Sequence, residues 1–285
     1  AGVYLALNLG AGGAPAGWPV PVATDIAFAL AALAISGPRL SPTLRIFLLT
    51  LAIVDDIGAV ALIGILFTST VHWAAVGGAL ASLALMALLG RWRQAPYLFY
   101  LVGFLAVWAF TLKSGISPSI AGVAAAMTIP LGARKAGRPG VLEDFMHSLH
   151  PYVAFAILPL FAFSAAGFSI SGLGLHDLFG PVVLGVALGL FIGKQVGVFG
   201  ATALIIGLKL ARRPTGAKWS ELYGVSLLTG IGFTMSLFIG QLAFPDADPV
   251  HQAQVRIGVV AGSLLSTLVG MAVLTWAQSR RPAED

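Results

Sequence analysis

The chain has 285 residues, of which 58% are hydrophobic and 9% are charged, whereas soluble globular domains carry about 25% charged residues. This composition excludes a soluble globular protein and indicates an integral membrane protein. The net charge of +5 is not gathered into a basic face with interleaved aromatic residues, which argues against nucleic-acid binding. The absence of cysteine excludes disulfides and thiolate metal sites.

A membrane-spanning helix needs about 20 mostly apolar residues. The first ten residues, AGVYLALNLG, lack the basic start of a secretory signal and predict a short helical stub at 1–9. Beyond the stub, apolar runs between charges and turn signals predict an all-α polytopic bundle of about nine transmembrane segments. These segments are 14–36, 43–67, 72–90, 94–112, 115–131, 151–171, 180–208, 220–244 and 255–277.

The loop charges predict the orientation of the bundle. Most of the 16 basic residues fall in alternate loops and in the C-terminal tail. They are Arg39, Arg45, Arg91, Arg93, Arg134, Lys135, Arg138, Lys209, Arg212, Arg213, Lys218, Arg280 and Arg281. The opposite loops carry Lys113 and Arg256 together with Asp177, Asp246 and Asp248. The positive-inside rule therefore places the basic side and the C-terminus in the cytoplasm.

The longest polar stretch, 132–150, is predicted to be a cytoplasmic loop with an amphipathic turn. Its ionisable residues Glu143, Asp144, His147 and His150 are candidates for a pH-sensing entrance. The alternative interpretation is that they form the solvated start of the next helix.

Four ionisable residues lie at membrane depth: Asp25, Asp55, Asp56 and Lys194. Asp55 and Lys194 fall near the middle of their predicted segments, where a charge costs roughly 2.5–3.5 kcal/mol. A purely structural salt bridge to Lys194 would account for one carboxylate, not three. The excess of negative charge at one depth predicts that a cation or protons bind there.

Adjacent residues on a helix point about 100° apart, so Asp55 and Asp56 cannot make the same contacts. One can pair with Lys194 while the other faces a cavity. Carboxylate oxygens suit hard cations and also take up protons. A site that holds either a small cation or protons is what an exchanger requires.

The segment 14–36 is predicted to be discontinuous. Pro19 and Pro21 remove backbone donors and favour extended chain. Thr24 or Asp25 then makes a suitable N-cap for a half-helix that begins near Ile26.

The segment 220–244 is also predicted to be broken, because Thr229, Gly230 and Gly232 lie at its middle. Thr229 is again a plausible cap. Unwound backbone at membrane depth is tolerated only inside protein or along a cavity. The alternative explanation for the glycines is close helix packing. A break is favoured over it because the segment 14–36 is also predicted to be broken.

The order of these elements predicts an inverted repeat with two crossing broken helices and an ion site at the midplane. The N-terminal repeat spans 1–67 and contains the stub, a broken helix and the helix with two aspartates. Intervening helices and a cytoplasmic loop span 68–179. The C-terminal repeat spans 180–285 and contains the lysine helix, a broken helix and the last helix.

Five motifs follow one another along the chain: ATDIAFAL at 23–30, RIFLLTLAIVDDIGA at 45–59, LHPYVAFAILPLFAFSAAG at 149–167, GLFIGKQVG at 189–197 and GIGFTMSLFIG at 230–240. Over essentially its whole length, the chain resembles the NhaA family of bacterial sodium/proton antiporters. The resemblance implies no enzymatic activity and no cofactor. It implies electrogenic exchange of sodium or lithium for protons, with activation at alkaline pH, in the inner membrane of a bacterium.

The resemblance also implies the roles of individual residues. Asp56 would be the principal carboxylate that binds the cation and exchanges protons, with Asp55 beside it. Lys194 would pair with Asp55 when no sodium is bound. Thr24 and Asp25 would lie where the broken helices cross, and Asp25 would offset the facing positive helix ends.

The chain departs from the family pattern in three respects. Family members have further helices at the N-terminus, including the hairpin associated with a homodimer. The chain is therefore expected to be an N-terminally short member or a fragment, whose homodimer is weakened by the missing helices. Met146 replaces a glutamate found in some members, and Gln195 replaces a common proline.

Two alternative functions differ in class. One is a truncated remnant that no longer transports. The other is an intramembrane aspartyl protease, but that chemistry requires its two aspartates on facing helices, whereas Asp55 and Asp56 are adjacent.

Overall fold

The computed structural model describes residues 1–10, 12–36, 40–68, 71–91, 96–130, 140–167, 178–244 and 248–280. Every regular element in these ranges is helical, which confirms the predicted all-α class. The helices are α1 (Gly2–Asn8), α2 (Ile26–Ser36), α3 (Pro42–Leu66), α4 (Trp73–Gly90), α5 (Tyr97–Ser114), α6 (Ser119–Thr128), α7 (Val141–Ala166), α8 (Pro181–Gly207), α9 (Trp219–Leu228), α10 (Phe233–Ala243) and α11 (Pro249–Ser279).

Six of the described helices are long and apolar enough to cross a membrane, and the number rises to eight if each of two bent pairs counts as one span. These helices also leave large apolar side chains on their outer surfaces. Phe155 and Phe163 on α7, for example, are each 84% exposed. Such surfaces match lipid rather than water, so the prediction of a polytopic membrane protein is confirmed.

Both predicted discontinuous segments are broken. The 3₁₀ turns at Pro15–Gly17 and Val20–Val22 precede α2 and meet it at an angle of 45°. Helices α9 and α10 meet at 43° across residues 229–232. The first break follows from the prolines, which interrupt a regular helical hydrogen-bond pattern. The chain there forms a 3₁₀ turn and not the predicted extended chain.

Residues 1–59 and 162–285 form one compact unit. In this unit α11 packs against α8, α9 and α10, while α1 packs against α8. At Gly262 of α11 a Cβ atom would lie only 2.9 Å from the carbonyl oxygen of Ala187 on α8. The absence of a side chain therefore allows the two backbones to approach closely.

Residues 60–161 form a second unit, in which α4, α5 and α6 pack on one another. Met86, Tyr100 and Val107 are buried at its centre. The segment predicted at 115–131 contains only the ten-residue helix α6, which is shorter than a membrane span. Pro118 immediately precedes this helix and Pro130 follows it closely.

Two helices begin earlier than the sequence predicts. Helix α7 starts at Val141 and not at residue 151, because Pro151 is accommodated inside it just before a π-helical turn at Val153–Ile157. Helix α11 starts at Pro249 and not at 255, with Asp248 as its N-cap. In both helices the first turns have the polar composition that is typical of a loop, but they form the solvated start of a helix.

Part of the predicted orientation rests on residues outside the described ranges. These are Arg39, Arg93, Arg134, Lys135, Arg138, Arg281, Asp177 and Asp246. The inverted repeat and its boundaries at 1–67, 68–179 and 180–285 stay predictions.

Candidate functional site

Lys194 lies on α8 between two π-helical stretches, Gly189–Gly193 and Gln195–Gly200. π-Helical turns are rare and occur frequently at functional sites. The lysine is only 8% exposed, so its ammonium group requires compensating partners inside the protein.

The partners of Lys194 come from two other elements of the same unit. Its Nζ atom donates to Asp55 Oδ2 of α3 at 2.7 Å and to Thr24 Oγ1 at 3.0 Å. The Thr24 hydroxyl also lies 2.7 Å from Asp55 Oδ2 and 2.9 Å from the carbonyl oxygen of Thr229. An ammonium, a carboxylate, a hydroxyl and a carbonyl thus meet where the broken helices cross.

Asp56 does not share this cluster of bonds. Its Oδ1 atom is buried and has no hydrogen-bond partner among the described residues. A buried carboxylate oxygen without a partner is costly, and a small cation or a proton would relieve that cost. The structure thus distinguishes the two adjacent carboxylates, because Asp55 is paired with an ammonium and an oxygen of Asp56 is unpaired.

Asp25 joins the two broken segments. Its Oδ1 accepts from the backbone N–H of Phe28 at 3.2 Å, in the first turn of α2. Its Oδ2 accepts from the backbone N–H of Thr234 at 3.0 Å and from the Thr234 hydroxyl at 2.6 Å, in the first turn of α10. One carboxylate therefore caps the N-termini of two half-helices, both of which carry partial positive charge.

Backbone contacts complete the crossing. The N–H of Asp25 donates to the carbonyl of Ile231 at 2.5 Å, and the N–H of Gly232 donates to Ser263 Oγ of α11 at 3.2 Å. A Cβ atom at Gly230 would lie 2.5 Å from the carbonyl oxygen of Leu190. The unwound chain is thus held by hydrogen bonds and leaves no room for a side chain at this glycine.

Thr229 differs from the predicted N-cap. It ends α9, and its hydroxyl donates to the carbonyl of Ser226 at 2.7 Å. The N-cap of α10 is Gly232, which offers no side chain. The carboxylate of Asp25 supplies the missing capping group from another segment of the chain.

The predicted pH-sensing residues Glu143, Asp144, His147 and His150 all lie in the first turns of α7, in the second unit. Asp144 accepts a hydrogen bond from the hydroxyl of Tyr97 on α5. Glu143, His147 and His150 are exposed, as in the alternative interpretation of a solvated helix start. A role in pH sensing stays a prediction.

Sequence reasoning missed Thr234 and Ser263. Thr234 is the second residue of α10, whose N-cap Gly232 has no side chain, so its position at an uncapped helix N-terminus was a usable signal. Ser263 carries no such signal, because only the packing of α11 on the crossing brings its hydroxyl to Gly232.

The available oxygen atoms suit a hard cation. Around the lysine they come from Asp55, Thr24 and the Thr229 carbonyl, and Asp56 adds an unpartnered oxygen. Among the described residues, no group of three or more His, Cys, Asp or Glu side chains is arranged to hold a metal ion.

Comparison with known proteins identifies the family. The family model described as Na+/H+ antiporter 1 matches residues 1–274. The chain belongs to this family. The Na(+)/H(+) antiporter NhaA of Rhizorhabdus wittichii is 50% identical over 274 residues, which cover 96% of this chain and 72% of that protein.

Two further relatives have similar coverage. NhaA of Caulobacter vibrioides is 50% identical over 99% of this chain and 69% of its own length. NhaA 2 of Klebsiella pneumoniae is 45% identical over 98% of this chain and 73% of its own length. Members of the Na+/H+ antiporter 1 family are transporters and not enzymes, and they need no cofactor. The chain is accordingly a multi-pass bacterial membrane protein.

Proposed function

We propose that this chain is a secondary active transporter that exchanges sodium or lithium ions for protons, by alternating access at one site and without ATP. The observation that carries the proposal is the ion pair of the buried Lys194 with the partly buried Asp55, beside the unpartnered carboxylate oxygen of Asp56. The names of the relatives, all sodium/proton antiporters, support the same activity.

Competition for one set of oxygens couples the two fluxes. Asp55 Oδ2 already lies 2.7 Å from the lysine amine, so a cation bound to the same oxygen would repel the ammonium and displace it. A sodium ion from the cytoplasm would bind Asp56 and Asp55 in their deprotonated forms, and the displaced lysine would release its proton to the cytoplasm. After the site opens outward and sodium leaves, one proton would reload Asp56 and another would reload Lys194.

This scheme makes the exchange electrogenic. When Lys194 and Asp56 both take up protons, two positive charges enter the site for each sodium ion that leaves. The membrane potential would then drive the cycle as well as the proton gradient. A negative potential inside the vesicle or cell favours the inward movement of the extra charge.

The predicted location is the inner membrane, with the C-terminus in the cytoplasm. The support is the bias of basic residues towards one set of loops. Arg45, Arg91, Lys209 and Lys218 are described members of that set, and each lies at or near a helix end.

Purified protein in liposomes that contain a pH-sensitive dye provides the test. Addition of sodium should move protons in the wild-type chain, and Asp56→Asn should abolish that movement because the amide cannot exchange a proton. Asp248→Asn is the matched control, because Asp248 is a peripheral N-cap whose side chain is 37% exposed. Full exchange by Asp56→Asn would refute the assignment, and no exchange by the wild-type chain would support a non-transporting remnant.

A further inference from the structure

Gln195, the residue after the lysine, connects two helices with its side chain. Its Nε2 atom donates to the carbonyl of Phe191 at 2.9 Å, one turn earlier on α8. Its Oε1 atom accepts from the hydroxyl of Tyr223 on α9 at 2.7 Å. Both polar atoms of the amide are therefore used, one within the lysine helix and the other across to the broken helix.

The bond to Phe191 spans the lysine itself. Lys194 is the single residue between the two π-helical stretches, and Phe191 and Gln195 belong to the stretches on either side. The backbone geometry at this junction determines the direction in which the lysine side chain points. A side-chain bond from residue 195 to residue 191 therefore helps to fix the part of α8 that directs the amine.

The bond from Tyr223 adds a reference point on another helix. The ring of Tyr223 packs edge-on against Phe199, with centroids 5.2 Å apart, so its hydroxyl is held in place. Tyr223 also lies on α9, whose C-cap is Thr229. The carbonyl of Thr229 accepts from Thr24 in the site. The bridge thus ties the lysine helix to the helix that supplies an oxygen beside the amine.

We propose that Gln195 and Tyr223 are positioning residues for Lys194. They hold the amine within hydrogen-bond distance of Asp55 and Thr24. They thereby determine how strongly the lysine competes with a cation for Asp55. The proposal rests on the proposed function, because it concerns the same site.

The measured consequence is a change in the sodium concentration that gives half-maximal exchange. Gln195→Leu removes both bonds of the bridge, so the ion pair weakens and sodium displaces the amine more easily. The apparent KM for sodium at fixed pH should fall about fivefold, as expected for the loss of about one net hydrogen bond. Tyr223→Phe removes only the bond between helices and should lower KM by a smaller factor.

Gln252→Leu is the matched control. The Nε2 atom of Gln252 donates to the carbonyl of Phe244 at 2.9 Å, and its Oε1 accepts from Arg256 at 3.4 Å. It is therefore a second bridging glutamine, placed near the start of α11 and away from the lysine. Its replacement should leave KM unchanged, even if the yield of folded protein falls.

Three results separate the outcomes. A KM within twofold of wild type in both Gln195→Leu and Tyr223→Phe, or an equal shift in Gln252→Leu, would overturn the positioning role. If the wild-type chain shows no exchange, the proposed function fails. In that case thermal unfolding in detergent tests the positioning role. Gln195→Leu should lower the melting temperature less in a Lys194→Met background than in wild type, and equal decreases would overturn the positioning role.

Discussion

Asp25 offers the sharpest test of how the crossing is held together. Asp25 is 3% exposed, and its carboxylate accepts three hydrogen bonds, from the backbone N–H groups of Phe28 and Thr234 and from the Thr234 hydroxyl. Asp25→Ala removes all three and leaves the donors inside the protein without an acceptor. Both half-helices lose their N-terminal cap in a single substitution.

The expected loss follows from the number and type of these bonds. A hydrogen bond to a charged group contributes about 1.5–3 kcal/mol, and a lost N-cap alone costs about 1 kcal/mol. Because the three bonds share one carboxylate, their contributions are not additive. We expect Asp25→Ala to lower the free energy of unfolding by about 4 kcal/mol. Asp25→Asn keeps an oxygen for one helix and should lose about half as much.

The assay is equilibrium unfolding in mixed detergent micelles, followed by the fluorescence of the six tryptophans. The control is Asp248→Ala, since Asp248 is also a helix N-cap and accepts from the N–H of His251 at 3.2 Å. Its side chain is 37% exposed, so water can replace the lost acceptor and the cost should be about 1 kcal/mol. Equal losses in Asp25→Ala and Asp248→Ala would refute the double-cap reasoning.

Two further substitutions test the surroundings of the site. Gly230→Ala places a Cβ atom 2.5 Å from the carbonyl oxygen of Leu190, so the two backbones must separate. The melting temperature in detergent should fall by several degrees, and an unchanged value would contradict the close approach. Asn8→Ala removes the bond from Asn8 Nδ2 to the carbonyl of Pro181 at 2.9 Å. It should cost about 1–3 kcal/mol in the micelle unfolding assay and leave the sodium KM unchanged, because Pro181 begins α8 and precedes Lys194 by more than three helical turns.

Most of the helical architecture could be predicted from the sequence, because apolar length and charge placement determine membrane spans directly. The two breaks were visible as Pro19 and Pro21 in one segment and as Gly230 and Gly232 in the other. Helix starts were less predictable. Val141 and Pro249 begin helices whose first turns are polar, and hydropathy alone does not distinguish such turns from a loop.

The site could be predicted as a set of residues but not as a geometry. The placement of Lys194 and of three aspartates at one predicted membrane depth required that their charges compensate one another. Which oxygen pairs with the amine depends on the π-helical turns of α8, and no propensity of single residues predicts those turns. The same limit hid Thr234, whose position beside Asp25 depends on how two distant segments cross.

The hydroxyl of Thr24 is within hydrogen-bond distance of two acceptors but has only one hydrogen atom to give. When that hydrogen points to Asp55, the carbonyl oxygen of Thr229 has a free lone pair towards the cluster. When it points to Thr229, Lys194 is the only side chain among the described residues that donates to the carboxylate of Asp55. A rotation about one C–O bond therefore exchanges these two arrangements without any movement of the backbone. The cluster therefore has fewer donor hydrogens than acceptor positions. The acceptor position without a hydrogen alternates between the Asp55 side chain and the main-chain carbonyl of Thr229.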